Sequence, residues 1–102
     1  MMRELVLTTT ALADFDEIGW FVAEGSGSRA VADDFVERLI SRCERLAELS
    51  GTFGTARPEL LPGLRSTPHK GYIIFFRHTD DAVEIVNVLR TSRDLLDYFG
   101  DE

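Results

Sequence analysis

The spacing of apolar residues along this chain changes twice. Residues 3–8 (RELVLT) alternate apolar with polar positions and favour β structure, which predicts a short strand. From residue 8 to 25 the step lengthens, and Leu12, Phe15, Ile18 and Val22 fall on one helical face. Thr10 is the expected N-cap, Asp14 and Asp16 lie near the positive end of the helix dipole, and Gly25 is the expected stop. Residues 28–51 predict a longer helix, capped by Ser28, with Gly51 beyond its end. Its apolar stripe is Val31, Phe35, Leu39, Cys43, Leu46 and Leu49. So short a connection between amphipathic helices implies an antiparallel hairpin.

After a loop over residues 51–63, punctuated by glycine and proline, the period returns to two. Residues 64–69, 72–79 and 82–90 predict three successive strands, with Asp80 and Asp81 in the turn between the last two. Residues 92–100 close the chain as a short helical or irregular tail. The order strand, helix, helix, three strands, tail implies one α+β domain over residues 1–102, its helix hairpin packed on a small twisted antiparallel sheet that the first strand joins.

The strand YIIFFR is apolar on both faces: Tyr72, Ile74 and Phe76 point one way, Ile73, Phe75 and Arg77 the other. The next strand sets Val83, Ile85 and Leu89 on one side and Val86 and Val88 on the other. A helix pair covers one face only. The second is left to the loop over 51–63, to the tail, or to a partner chain.

Composition narrows the chemistry. Eleven Lys and Arg against 18 Asp and Glu give a net charge of -7, poorly suited to neutralising phosphates, so no direct, specific nucleic-acid binding is expected. Lys70 is the only lysine; the remaining basic residues are arginines, the better cation for planar pairing at desolvated interfaces. The single cysteine, Cys43, can form no intrachain disulfide and reads as a small core residue. Trp20 reads as core or hairpin packing. No signal peptide or membrane span is evident, so a cytoplasmic location is expected. A phosphate loop, metal-ligand cluster and nucleophile elbow are all missing, and neither a cofactor nor a metal is expected. His69 and His78 stand at strand ends without an orienting partner in sequence, which favours merely polar roles over acid–base catalysis.

Three stretches together resemble the ParE/RelE toxins of bacterial toxin–antitoxin modules: ALADFDEIGWFV, then AVADDFVERLISRCERLAELSGTFGTARPELLPGLRS, then YIIFFR with VEIVNVLRTSRDL. The likeness runs over nearly the whole chain in the right order and is greatest to the ParE branch. It implies two antiparallel helices against a twisted antiparallel sheet, and a cognate antitoxin whose C-terminal segment wraps the toxin as helix and strand. RelE-like members are ribosome-dependent messenger-RNA nucleases, whereas ParE-like members poison DNA gyrase. The nucleases carry lysines before the long strand, an arginine after its first tyrosine, and a late arginine with a tyrosine. Here Ile73 follows Tyr72, Lys70 stands alone, and Arg65, Arg90, Arg93 and Tyr98 do not reproduce the set.

The expectation is therefore a non-enzymatic toxin that binds gyrase and is silenced by its antitoxin. The alternatives are a RelE-like nuclease and a non-toxic antitoxin-binding co-repressor. The candidate partner-binding residues are Arg65, Arg77, Arg90 and Arg93 with Leu95, Leu96 and Phe99, because arginines beside exposed apolar groups are common interface hot spots.

Overall fold

A computed structural model of the chain describes residues 3–49 and 52–91. The tail over 92–100, with Arg93, Leu95, Leu96, Tyr98 and Phe99, lies outside the described residues, as does Gly51. The elements are β1 (Glu4–Leu7), α1 (Thr9–Ser26), α2 (Arg29–Glu48), β2 (Thr55–Ala56), β3 (Arg65–His69), β4 (Tyr72–His78) and β5 (Ala82–Arg90). The strands form one sheet in the order β1-β5-β4-β3-β2, with the helix hairpin on one face. The expected α+β fold stands, with two refinements: the sheet is mixed, because β1 runs parallel to β5 while the other pairs are antiparallel, and the loop expected over 51–63 contributes the two-residue strand β2, paired with β3.

Both faces of β4 are buried. Tyr72, Ile74 and Phe76 join Phe15, Ile18, Leu39, Cys43 and Leu46 in the core beneath the helices. Phe75 joins Leu60, Leu64 and Leu89 in a second cluster on the far face, with Leu61, Ile73 and Val86 packed against it. The leucines arrive from the loop after α2. Its turn is held by Leu60 N–H and Leu61 N–H donating to the Arg57 carbonyl, and by Arg57 N–H donating to the Leu64 carbonyl. Of the three coverings left open by the sequence, the loop is the one seen among the described residues.

A β-bulge decides which side chains of β5 go where. Phe75 pairs with Asn87 but Phe76 pairs with Ile85, so Val86 is the extra residue. Strict alternation would keep Leu89 beside Val83 and Ile85; instead Val88 joins them under the helices and Leu89 turns to the loop cluster. The bulge also lies where β1 stops pairing, since Leu7 is opposite Ile85. There Thr8 takes over. Its backbone N–H and its hydroxyl both donate to the Ile85 carbonyl, at 3.2 and 2.8 Å. The same hydroxyl oxygen accepts Ala11 N–H, so Thr8, two residues before the expected cap, is the N-cap of α1. One turn on, Asp14 does not serve the helix dipole alone. Its carboxylate accepts Val88 N–H at 2.9 Å and an Asn87 amide hydrogen at 3.3 Å, satisfying β5 where it has outrun β1.

Three further helical expectations change. The helix runs through Gly25, and the stop is Gly27, whose left-handed backbone (φ 69°) lets its N–H reach the Ala23 carbonyl. Leu12 and Val31 are half-exposed, whereas Ala11 and Ala32 are buried. At Gly19 the two helices leave room for ordinary contact, since a Cβ there would stand 3.5 Å from Val36 Cγ2. Trp20, expected in core or hairpin packing, is 67% exposed.

Gly54 is a tight point in the loop's path. It adopts φ 80°, and a Cβ there would stand 2.7 Å from the Ser66 carbonyl oxygen and 2.8 Å from the Phe76 ring. Gly54→Ala should therefore lower stability by about 2 kcal/mol or more, from left-handed strain and overlap together. Gly25→Ala, inside α1 with open space at its Cβ, should raise it by about 0.5–1 kcal/mol. Urea unfolding of the two variants checks both signs.

Candidate binding surface

The described arginine candidates do not form one patch. Arg65, at the start of β3, is engaged internally: its Nε donates to the Phe53 carbonyl at 2.6 Å and its Nη2 to the Gly54 carbonyl at 2.7 Å. It clamps the loop across the end of the sheet. Arg77 lies directly across from Glu84 and pairs with it at 2.8 Å, a largely exposed ion pair worth about 0–1 kcal/mol. Arg90 is at the opposite end, across from Tyr72, and the five-residue offset from Tyr72 to Arg77 along β4 is ~17 Å. Its guanidinium carbon lies 4.2 Å from the centre of the Phe21 ring on α1, a cation–π contact that leaves Phe21 44% exposed.

The surface missed in sequence lies on the helices. Leu12, Trp20 and Phe21 of α1 and Val31 of α2 are all exposed. Between α1 and α2 runs a groove of about 550 Å³, with Phe15, Gly19, Trp20, Ala32 and Val36 among the residues along it. A signal was available. Leu12, Phe15, Ile18, Trp20, Phe21 and Val22 span too wide an arc for one buried stripe, so part of α1's apolar surface had to face elsewhere.

The titratable groups bear more on stability than on chemistry. Burial pushes the Cys43 thiol up to about 12, so it stays protonated and unreactive. His69 is held below its ordinary value by burial, then by Lys70 and Arg42. His78 is lowered by burial, then by Arg3 and Arg65. Its Nε2 accepts Phe53 N–H at 3.4 Å, while Nδ1 is buried without a hydrogen-bond partner among the described residues. Among the described residues no carboxylate hydrogen-bonds or ion-pairs with either histidine, and no cluster of His, Cys, Asp and Glu could hold a metal. Nor is any helix there long and apolar enough to cross a membrane.

With this geometry in place, the chain can be set beside known proteins. Residues 5–95 match the family model described as the ParE toxin of the type II toxin–antitoxin system, parDE. The chain belongs to the ParE toxin family. Among solved structures, the ParE-family fold seen here is similar to a chain of the chromosomal ParDE toxin–antitoxin system from P. aeruginosa. That match has a TM-score of 0.73 and 23% identity, covering 87% of this chain and 96% of that one. It is also similar to a chain of the RelBE2 toxin–antitoxin complex from Mycobacterium tuberculosis, with a TM-score of 0.62 and 19% identity over 91% and 95% of the two chains. No curated protein matches the chain.

The two histidines give the domain an acid-sensitive stability. Both bind protons more weakly when folded. As pH falls through the unfolded value of about 6.5, the unfolded chain takes up protons first and stability drops; above that value their contribution is fully present. The urea midpoint should decline from about pH 6.5 downward, and the decline in that window should flatten in the double variant His69→Asn/His78→Gln. An unchanged slope would assign the effect to other groups.

Proposed function

We propose that this ParE-family chain is the toxin of a type II module that acts by binding protein rather than by cutting RNA. Its target is DNA gyrase, which it holds in a DNA-cleaved state, and a cognate antitoxin silences it in the cytoplasm. One observation carries the choice against a nuclease. The residue after Tyr72, where RelE-like nucleases carry an arginine, is Ile73, and it packs with Leu60, Leu64, Phe75 and Leu89 on the far face of the sheet. An aliphatic side chain there supplies no charge to a scissile phosphate. The exposed surface points the same way, since Trp20, Phe21 and Arg90 are residue types that dominate protein interfaces. An antitoxin partner is supported by family membership and by the two similar folds, which come from toxin–antitoxin systems. Arg65, Arg77, Arg90 and Arg93 with Leu95, Leu96 and Phe99 remain the proposed contact residues. Arg90, already paired with an exposed aromatic, is the strongest of those described.

The test is purified protein with gyrase, ATP and relaxed plasmid, alongside translating ribosomes carrying a labelled message. The expected result is loss of supercoiling with accumulation of cleaved DNA and an intact message, weakened about tenfold or more by Arg90→Ala. Unimpaired supercoiling at large excess over gyrase removes the gyrase target. Cleavage of the message would establish the nuclease instead, and normal growth on induction would favour the co-repressor.

A further inference from the structure

The first stretch of the covering loop is gripped from both sides at Phe53. Its carbonyl accepts Arg65 Nε at 2.6 Å, the Gly54 carbonyl accepts Arg65 Nη2 at 2.7 Å, and the Phe53 N–H donates to His78 Nε2 at 3.4 Å. Strand β2 follows at once and pairs with β3 over two residues only, Thr55 with Ser66 and Ala56 with Arg65. Farther on, other contacts hold the loop. Arg57 Nε donates to the Ser66 hydroxyl at 2.9 Å, Arg57 N–H donates to the Leu64 carbonyl, and Leu60 and Leu64 pack with Phe75. Residues 52–56 can therefore part from the sheet while Leu60 and Leu64 stay in place.

His78 is placed to control that first stretch. Nε2 accepts Phe53 N–H only while the ring is neutral with its proton on Nδ1, and Nδ1 is buried without a hydrogen-bond partner among the described residues. A second proton turns Nε2 into a donor aimed at a donor. The charged groups that face the ring are Arg3, ahead of β1, and Arg65, on β3. Phe76 meets it edge-on at 5.5 Å between ring centres, and Val83 stands opposite it on β5. No carboxylate ion-pairs with it among the described residues. An imidazolium here also repels Arg65, which holds the Phe53 and Gly54 carbonyls, so both grips weaken together. We propose that His78 is an acid-operated latch on the loop cover: neutral, it holds Phe53, and on taking up a proton it releases residues 52–56, β2 included, while the helix hairpin stays folded. The edge of β3 at Arg65 and Ser66 is then left without its strand partner.

Burial and the two arginines hold the ring's proton affinity below its ordinary value, so the latch opens below about pH 6.5. The experiment is backbone amide hydrogen exchange by NMR from about pH 7.5 to about pH 5, corrected for the intrinsic pH dependence of exchange, with the ring-proton shifts of His78 followed in parallel. Amides of residues 52–56 should lose about tenfold or more of their protection, with a midpoint matching the titration of His78, while those of α1, α2 and Arg57 keep theirs. His78→Gln, whose amide oxygen accepts from Phe53 N–H but takes up no proton, should hold the loop closed throughout. His69→Asn should leave the response unchanged. Protection of residues 52–56 that stays constant as His78 titrates, or that falls together with protection of the helices, overturns the proposal, and so does an unaltered response in His78→Gln. Should that variant fail to fold, the matched or unmatched midpoints in the native chain decide.

Discussion

Adjacent phenylalanines on β4, Phe75 and Phe76, are both inaccessible to solvent yet point to opposite faces of the sheet. Truncating either to alanine would cost about 3–5 kcal/mol, so neither face can be left wet. Much of the remaining architecture meets that condition. The hairpin covers Phe76, and the loop after α2 must double back to lay Leu60 and Leu64 over Phe75. For the loop to make that journey it passes close over Phe76 at Gly54, where no side chain fits, and is fastened there by two hydrogen bonds from Arg65. An arginine attractive as a binding residue in sequence is thus committed first to holding the cover on the second face.

The second constraint is the unequal length of β1 and β5. Four residues of β1 pair with Ala82 to Ile85, and β5 then continues for five more. Backbone groups on that extension need partners. The bulge at Val86, the Thr8 cap and the Asp14 carboxylate together provide them at the point where the chain turns from strand to helix. One threonine therefore ends a strand, starts a helix and stitches both to the far end of the sequence. This explains why α1 begins at Thr9 rather than after Thr10: the cap is chosen by a tertiary hydrogen bond.

These two constraints also mark how far sequence reasoning reaches. The order of the longer elements, the helix hairpin, the common facing of Tyr72, Ile74 and Phe76, and the ParE kinship were all legible, because they depend on periodicity and order along the chain. The parallel docking of β1, the bulge that exchanges Val88 for Leu89, and the burial of Ala11 and Ala32 in place of Leu12 and Val31 were not. Each depends on a register or a helix rotation set by tertiary packing rather than by local periodicity. The site suffered for the same reason. Arg65, Arg77 and Arg90 look alike in sequence, yet one clamps a loop, one answers Glu84, and one lies over Phe21.

Exposed aromatic surface on α1 follows from this packing rather than from any slack in it. Ala11, Phe15 and Ile18 join the core beneath the hairpin, and Val36 of α2 packs against it. With that face of α1 turned inward, Leu12 and Trp20 are left exposed, and Phe21 is carried to the side where Arg90 ends β5. In a domain of this size, a tryptophan left this open to water favours association, while a surface this acidic opposes association with itself.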